Sequence, residues 1–152
     1  MKTLRLLLPL LLPALIAFGL SGCSTTTVQK AAMVVSLLEV QVGPGNEAVL
    51  QLRLQNEEIE GIAVADTRHK LTLDGQGFGE AVNPKPMAVP ERGDVRFTAK
   101  LALADAAAVE RLRAVLARGD VEYRLESRLN CDVGDDDTLI LKTSTTSRLG
   151  AR

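Results

Sequence analysis

The sequence predicts an all-β fold, an immunoglobulin- or fibronectin-III-like antiparallel β-sandwich of about seven strands with one short helix in a connection. Apolar and polar residues alternate with a period of two through most of the chain after residue 33, which is typical of strands that bury one face. Turn signals, among them the Gly-Pro-Gly-Asn of residues 43–46, separate these segments. Only the segment after Asp105 has helical spacing, so the pattern favours an antiparallel sheet over an α/β fold.

The first two strands are expected to pair as a hairpin around the turn at residues 43–46. In the second strand, Gln51 and Arg53 belong to a clear polar face. The apolar alternation consists of Val34, Ser36, Leu38, Val40 and Val42 in the first strand and of Ala48, Leu50, Leu52 and Leu54 in the second. Each strand can therefore bury one face while the other stays in water.

Two further strands are predicted in the middle of the chain. His69, Leu71 and Leu73 alternate with polar neighbours up to a turn at Asp74-Gly75. The Gly-rich residues 75–79 and the Pro-containing residues 84–90 show no such alternation and are interpreted as connections. The strand that follows has an apolar face made of Val95, Phe97, Ala99, Leu101 and Leu103.

A helix is predicted between this strand and the next one. Asp105 is suited to cap its N-terminus, and Gly119 fits the position just past its end. The apolar residues at helical spacing are Val109, Leu112, Val115 and Leu116.

The longest alternation follows the helix, and a Thr-rich strand over residues 138–146 completes the sheet. One face of this long strand is charged, so a slip of one residue would bury the charges and the register is well specified. The apolar face contains Val121, Tyr123, Leu125, Leu129, Cys131 and Val133. Because the chain has no Trp and few other aromatic residues, its core must be aliphatic.

The N-terminus resembles that of bacterial lipoproteins, which carry a Leu-small-small-Cys lipobox. Lys2 and Arg5 precede the apolar residues 6–20, and Ser21 and Gly22 lead to Cys23. The apolar run is shorter than the roughly 20 residues that span a bilayer, so it is expected to be cleaved. An ordinary secretory signal with a coincidental cysteine and an uncleaved anchor are the alternatives.

This resemblance predicts three regions: a signal peptide at 1–22, a lipidated tether at 23–32 and a β-sandwich domain at 33–149. Cys23 would carry the acyl chains, palmitate among them, and would attach the protein to the membrane through its N-terminal lipid anchor. Ser24 after the cysteine implies the outer membrane, with the domain facing the periplasm. Cys131 would then have no partner for a disulfide.

Charge and composition exclude several classes of partner. The signal segment carries two basic residues and no acidic one, so the formal charge of −1 for the whole chain becomes −3 for the mature part. A weakly acidic domain without a basic patch is not expected to bind nucleic acid. Nor can it supplement a lipid anchor by attraction to anionic lipids.

The order of elements resembles the late-embryogenesis-abundant type 2 family, also called the water-stress and hypersensitive-response (WHy) domain. The similarity rests on residues 50–56, 71–75, the Gly79 region, 95–103, the helix and residues 119–125. Of the family's Asn-Pro-Asn after the second strand, only Asn56 is present, followed by Glu57 and Glu58.

The resemblance implies a folded sandwich that is associated with tolerance of water stress and has no established catalysis. We therefore expect a non-enzymatic, lipid-anchored envelope protein with a role in desiccation or envelope stress tolerance. The alternative is an adaptor module of the outer membrane that binds an envelope protein partner. A third interpretation, a ligand carrier, requires an apolar cavity.

His69 and Cys131 are candidate chemical groups with structural alternatives. His69, the only histidine, lies in phase with Leu71 and Leu73 and is expected near the core edge; as a base it would need a nucleophile and an orienting acid. Cys131 is expected to be a buried, inert thiol, the alternative being a reactive or intermolecular one.

The acidic and Gly-rich segments do not match known binding motifs. Asp132, Asp135, Asp136 and Asp137 could attract a cation, but their spacing matches no EF-hand and a solvated hairpin turn is favoured. The glutamates at 57, 58 and 60 indicate an exposed loop. The glycines at 75, 77 and 79 lack the helix and lysine of a phosphate loop. No enzyme activity, metal, cofactor or small-molecule substrate is predicted.

Overall fold

The computed structural model describes residues 28–29, 33–133 and 137–150, which contain nine strands and one helix. Cys23, the expected signal peptide and most of the expected tether lie outside these residues. The elements are β1 (Val28–Gln29), β2 (Met33–Val42), β3 (Glu47–Asn56), β4 (Ile62–Leu73), β5 (Gln76–Asn83), β6 (Met87–Val89), β7 (Asp94–Ala102), α1 (Ala106–Leu116), β8 (Val121–Asp132) and β9 (Thr138–Leu149).

The strands form one continuous sheet in the order β1-β9-β8-β4-β5-β7-β3-β2, and β6 pairs with the start of β4. Every pairing is antiparallel except that of β1 with β9. β1 and β2 stand at opposite ends of this order although only three residues separate them in sequence. Because β2 also lies against β9, the sheet curves almost into a barrel.

The predicted all-β antiparallel fold with a single helix is confirmed for the described residues, whereas the immunoglobulin-like sandwich is not. β4 is twelve residues long and pairs with β8 along one edge and β5 along the other. β5 continues to β7 through Ala81 opposite Leu101 and Val82 opposite Lys100. These pairings join the strands into one curved sheet, where a sandwich would have two separate sheets.

An aliphatic core fills the inside of the curved sheet, as the composition predicts. The buried faces predicted for β3, β4, β7 and most of β8 are confirmed. Among the largest side chains with no more than 2% exposure are Leu50, Leu52, Leu54, Leu71, Leu73, Leu101, Leu112, Leu125, Leu129 and Leu141. Burial of these side chains is the main contribution to stability.

The predicted face of β2 is wrong in its first half. Met33, Val35 and Leu37 are buried, and a bulge at Leu38 shifts the register against β3. After the bulge, Val40 lies opposite the buried Leu50, so the second half has the predicted phase. Val133, predicted to be buried with β8, is 57% exposed because the strand ends at Asp132.

The segments interpreted as connections at 75–79 and 84–90 contain the first half of β5 and all of β6, two additional strands. β5 begins at Gln76, directly after the turn in which Asp74 and Gly75 have φ of 46° and 79°. Its buried residues include Phe78 and Ala81. β6 adds a short pairing with β4.

The helix α1 agrees with its prediction. Asp105 is the N-cap, and its Oδ1 accepts a hydrogen bond of 2.7 Å from the backbone N–H of Ala108. Val109, Leu112 and Val115 are buried, and α1 packs against β2. No helix in the described part of the chain is long and apolar enough to cross a membrane.

The barrel-like sheet has two distinct ends. The helix end carries the turns at 43–46 and 74–75 together with residues 103–120. The other end, here called the loop end, carries residues 57–61, residues 84–93, and Val133 and Asp137. The start of β4 and the end of β8 meet there, since Ala63 is opposite Asp132.

Candidate functional site

His69 lies in a polar cluster inside the core. It is fully buried, as is Thr67, and Ser127 is only 4% exposed. The Nδ1 atom of His69 is 2.8 Å from Ser127 Oγ, and its Nε2 atom is 2.8 Å from Thr67 Oγ1. The ring also packs against Phe97, with 5.6 Å between ring centroids. Adjacent strands create this cluster, because His69 in β4 is opposite Ser127 in β8.

Burial lowers the pKa of His69 from 6.5 to about 4, because the charged imidazolium would lose its hydration. The imidazole is therefore neutral at pH 7. A neutral ring donates through one nitrogen and accepts through the other, and each hydroxyl can take either complementary role. Both ring nitrogens are thus satisfied inside the protein.

The distance between Ser127 and His69 is one at which a base could take a proton from a nucleophile. The third group of the cluster is the Thr67 hydroxyl, however, whereas the serine triad uses a carboxylate to stabilise the imidazolium. The side chains of Ser127 and His69 are also closed off from solvent. This geometry suits a satisfied polar group in the core and gives a substrate no access.

Cys131 is also in the core, on the predicted face of β8. Its thiol is free, and burial raises its pKa to about 11. A thiol of this kind carries almost no thiolate at neutral pH, and the thiolate is the reactive form. The position and environment therefore favour the inert thiol.

The other predicted segments are not brought together into one site. Glu57, Glu58 and Glu60 form an exposed loop, as expected. Asp132 ends β8 and Asp137 precedes β9, while residues 134–136 lie outside the described residues. Within the described ranges no three His, Cys, Asp or Glu side chains could hold a metal ion. The glycines at 75, 77 and 79 lie in a turn and a strand, where no helix follows to bind phosphate.

The structure contains a cleft at the loop end that was not predicted. Its volume is about 530 Å³, and it lies between the loop before β4 and the ends of β8 and β9. The residues that line it are Glu58, Ile59, Glu60, Gly61, Ile62, Ala63, Asp132, Val133, Leu139 and Leu141. Ile59 is 66% exposed and Val133 57%, and these are the large apolar residues that stand out in solvent within the described part of the chain.

Asn56 holds the loop that forms one wall of this cleft. Its side chain is buried, and its Nδ2 donates to the carbonyl oxygens of Glu60 and Pro90 at 2.7 and 3.1 Å. Its Oδ1 accepts from the backbone N–H of Glu58 at 3.0 Å. Arg92 N–H donates to the carbonyl of Glu58, which ties the loop to its neighbour as well. The loop that carries Ile59 is therefore held in place by hydrogen bonds to its backbone.

Two sequence signals point toward this cleft. Asn56 is the residue that matches the motif of the family resemblance, and Ile59 is a lone apolar residue among glutamates. Neither signal locates a cleft, because its opposite wall comes from Asp132 and Val133, more than seventy residues later.

Comparison with known proteins gives a family match and several similar solved structures. The family model described as late embryogenesis abundant protein matches residues 51–136, more than half of the chain. Among curated proteins there is no significant match.

The chain is also similar to solved structures at low sequence identity. A protein of Arabidopsis thaliana is 15% identical with a TM-score of 0.56, covering 82% of this chain and 85% of that one. A protein of Archaeoglobus fulgidus is 13% identical with a TM-score of 0.46, covering 80% and 96%. A candidate late embryogenesis abundant protein is 16% identical with a TM-score of 0.42, covering 78% and 72%. The first of these supports the fold alone.

Proposed function

The chain belongs to the late embryogenesis abundant protein family, and from this premise we propose that it is a non-enzymatic, lipid-anchored protein of the bacterial outer membrane. Its folded domain would face the periplasm and contribute to desiccation or envelope stress tolerance. The observation that carries the stress role is the family match over residues 51–136. The lipobox that ends at Cys23 supports the anchor.

The position of β1 is consistent with a short anchor. Val28 pairs with Ile140 near the start of β9, and the two strands are parallel. Cys23 precedes Val28 by five residues, which span at most about 18 Å when extended. A lipid on Cys23 would therefore hold the domain close to the membrane surface.

The closed environment of His69 supports the non-enzymatic assignment. Its two ring nitrogens are occupied by Ser127 and Thr67, and neither residue is accessible to a substrate. We therefore assign the neutral, buried ring a role in the stability of the fold.

The stress role is tested by survival of a deletion strain after drying and osmotic shock. We expect the strain to survive less well than its parent, and the full chain to restore survival. A Cys23→Ser chain should fail to restore it, whereas Cys131→Ser, which keeps the anchor, should restore it. A deletion strain that survives as well as its parent would make this role untenable.

A second candidate, a protein-interaction module, is favoured by the loop-end cleft. Among the residues that the structure describes, Ile59 and Val133 are the exposed large apolar side chains, and both line it. Exposed apolar surface within a concave site is typical of a binding surface. One anchored domain can serve both roles. Val28 pairs with Ile140, between the cleft residues Leu139 and Leu141, so the anchor and the cleft lie at the same end of the sheet.

A further inference from the structure

We propose that the loop-end cleft binds a cationic peptide segment with apolar side chains, supplied by a partner protein. This inference rests on the interaction-module candidate and names the chemistry of its partner. It follows from the apolar lining of the cleft, the acidic rim and the fixed loop that forms one wall.

The apolar lining gives the partner a place to bury side chains. The apolar lining from the strands consists of Ile62, Leu139 and Leu141. The loop before β4 adds Ile59, and the segment after β8 adds Val133. A shallower apolar depression of about 280 Å³ adjoins the cleft, with which it shares Ala63 and Asp132; Pro86, Met87 and Ala88 also line it. An apolar segment could therefore continue from the cleft along β4 and β6.

The rim gives the partner its charge. Glu58, Glu60 and Asp132 line the cleft, and no lysine or arginine is among the described residues that line it. Complementary charge favours a cationic segment and increases its rate of association. It also disfavours an anionic lipid surface, which attracts basic segments and repels acidic ones.

The loop at 57–61 is ordered before any partner binds. Asn56 makes three side-chain hydrogen bonds beneath it, and the carbonyl of Glu58 accepts from Arg92 N–H. These bonds use the backbone of the loop and leave the Ile59 side chain in solvent. A preordered wall reduces the entropy that binding must overcome.

The test uses the full chain in a neutral detergent and a short fluorescent peptide of alternating lysine and leucine. Binding is followed by fluorescence anisotropy. We expect saturable binding that weakens with added salt, and much weaker binding of a peptide with glutamine in place of lysine. Ile59→Ser should weaken binding about tenfold, because the partner would no longer bury the isoleucine.

Two double substitutions, one at the cleft and one away from it, provide the matched control. Glu58→Gln with Glu60→Gln should weaken binding several-fold, since each partly screened charge contributes modestly. Glu47→Gln with Glu110→Gln removes the same charge at the helix end and in α1, away from the cleft, and should leave binding unchanged. All four side chains are exposed, so these variants should fold.

Three results would overturn the proposal. The first is absence of saturable peptide binding, and the second is equal weakening of binding by the two double substitutions. The third is binding of the chain to phosphatidylglycerol vesicles that Ile59→Ser abolishes, which would make the loop end a membrane surface. The titration does not depend on survival of a host, so its failure is separate from failure of the stress role.

Discussion

Acidification to about pH 5 should destabilise this protein through His69, because the folded state keeps that ring neutral. Its pKa is lowered from 6.5 to about 4 by burial, so an unfolded chain binds the proton first as the pH falls. The stabilisation is therefore complete above pH 6.5 and is lost as the pH falls from 6.5 toward 4. The whole shift corresponds to about 3 kcal/mol, of which about 2 kcal/mol is lost between pH 7.5 and 5.

Urea unfolding followed by circular dichroism at several pH values measures this dependence. His69 is the only histidine, and most carboxylates stay ionised above about pH 5, so the window isolates one group. A His69→Gln variant should show little change in its free energy of unfolding across the same window. The reasoning is refuted if the wild-type stability is flat there, or if the variant has the same slope.

Three further substitutions test the contacts that hold the fold and the cleft, each by urea unfolding. Asn56→Ala should cost about 2–3 kcal/mol, because the three hydrogen bonds of this buried side chain are lost. Asn46→Ala in an exposed turn is the control, and an equal loss in both would contradict the role of Asn56. Tyr123→Phe should cost about 2 kcal/mol, because the buried N–H of Leu37 donates to the tyrosine hydroxyl at 3.2 Å and would lose its acceptor. An unchanged free energy would show that this N–H is satisfied elsewhere. Asp105→Ala should cost about 1 kcal/mol through loss of the helix cap, while Asp105→Ser should retain most of the stability; equal effects of both variants would refute the capping assignment.

The strands that were predicted correctly have mostly polar or charged residues on their outer faces. In β8, Glu122, Arg124 and Glu126 are on the outer face, and no other register keeps them in water. β2 carries a single charge, Glu39, and both of its faces carry apolar residues. Its register depends on pairing with β3 and on the bulge at Leu38, which alternation alone does not reveal.

The missed strand β5 illustrates how glycine obscures a strand. Gly79 has a φ of 116°, which side chains rarely adopt, and the register against β4 shifts there. Such a position needs glycine, yet a cluster of glycines in sequence indicates a turn. Phe78 and Ala81 are the buried apolar residues of this strand, too few to give a clear alternation.

The curvature of the sheet and the cleft both depend on distant parts of the chain. β1 and β2 lie at opposite ends of the strand order although they are close in sequence, and no local pattern predicts that arrangement. The cleft likewise requires the loop at Ile59 to meet Val133. The sequence does predict the separate pieces, namely the exposed loop with its glutamates and the end of the long strand.

Intact-mass spectrometry of the protein extracted from its host membrane tests the proposed anchor most directly. We expect a chain that begins at Cys23 and carries the added mass of a diacylglyceryl group and an N-linked acyl chain. A chain that retains residues 1–22, or one that begins at an unmodified Cys23, would contradict the lipid-anchored assignment.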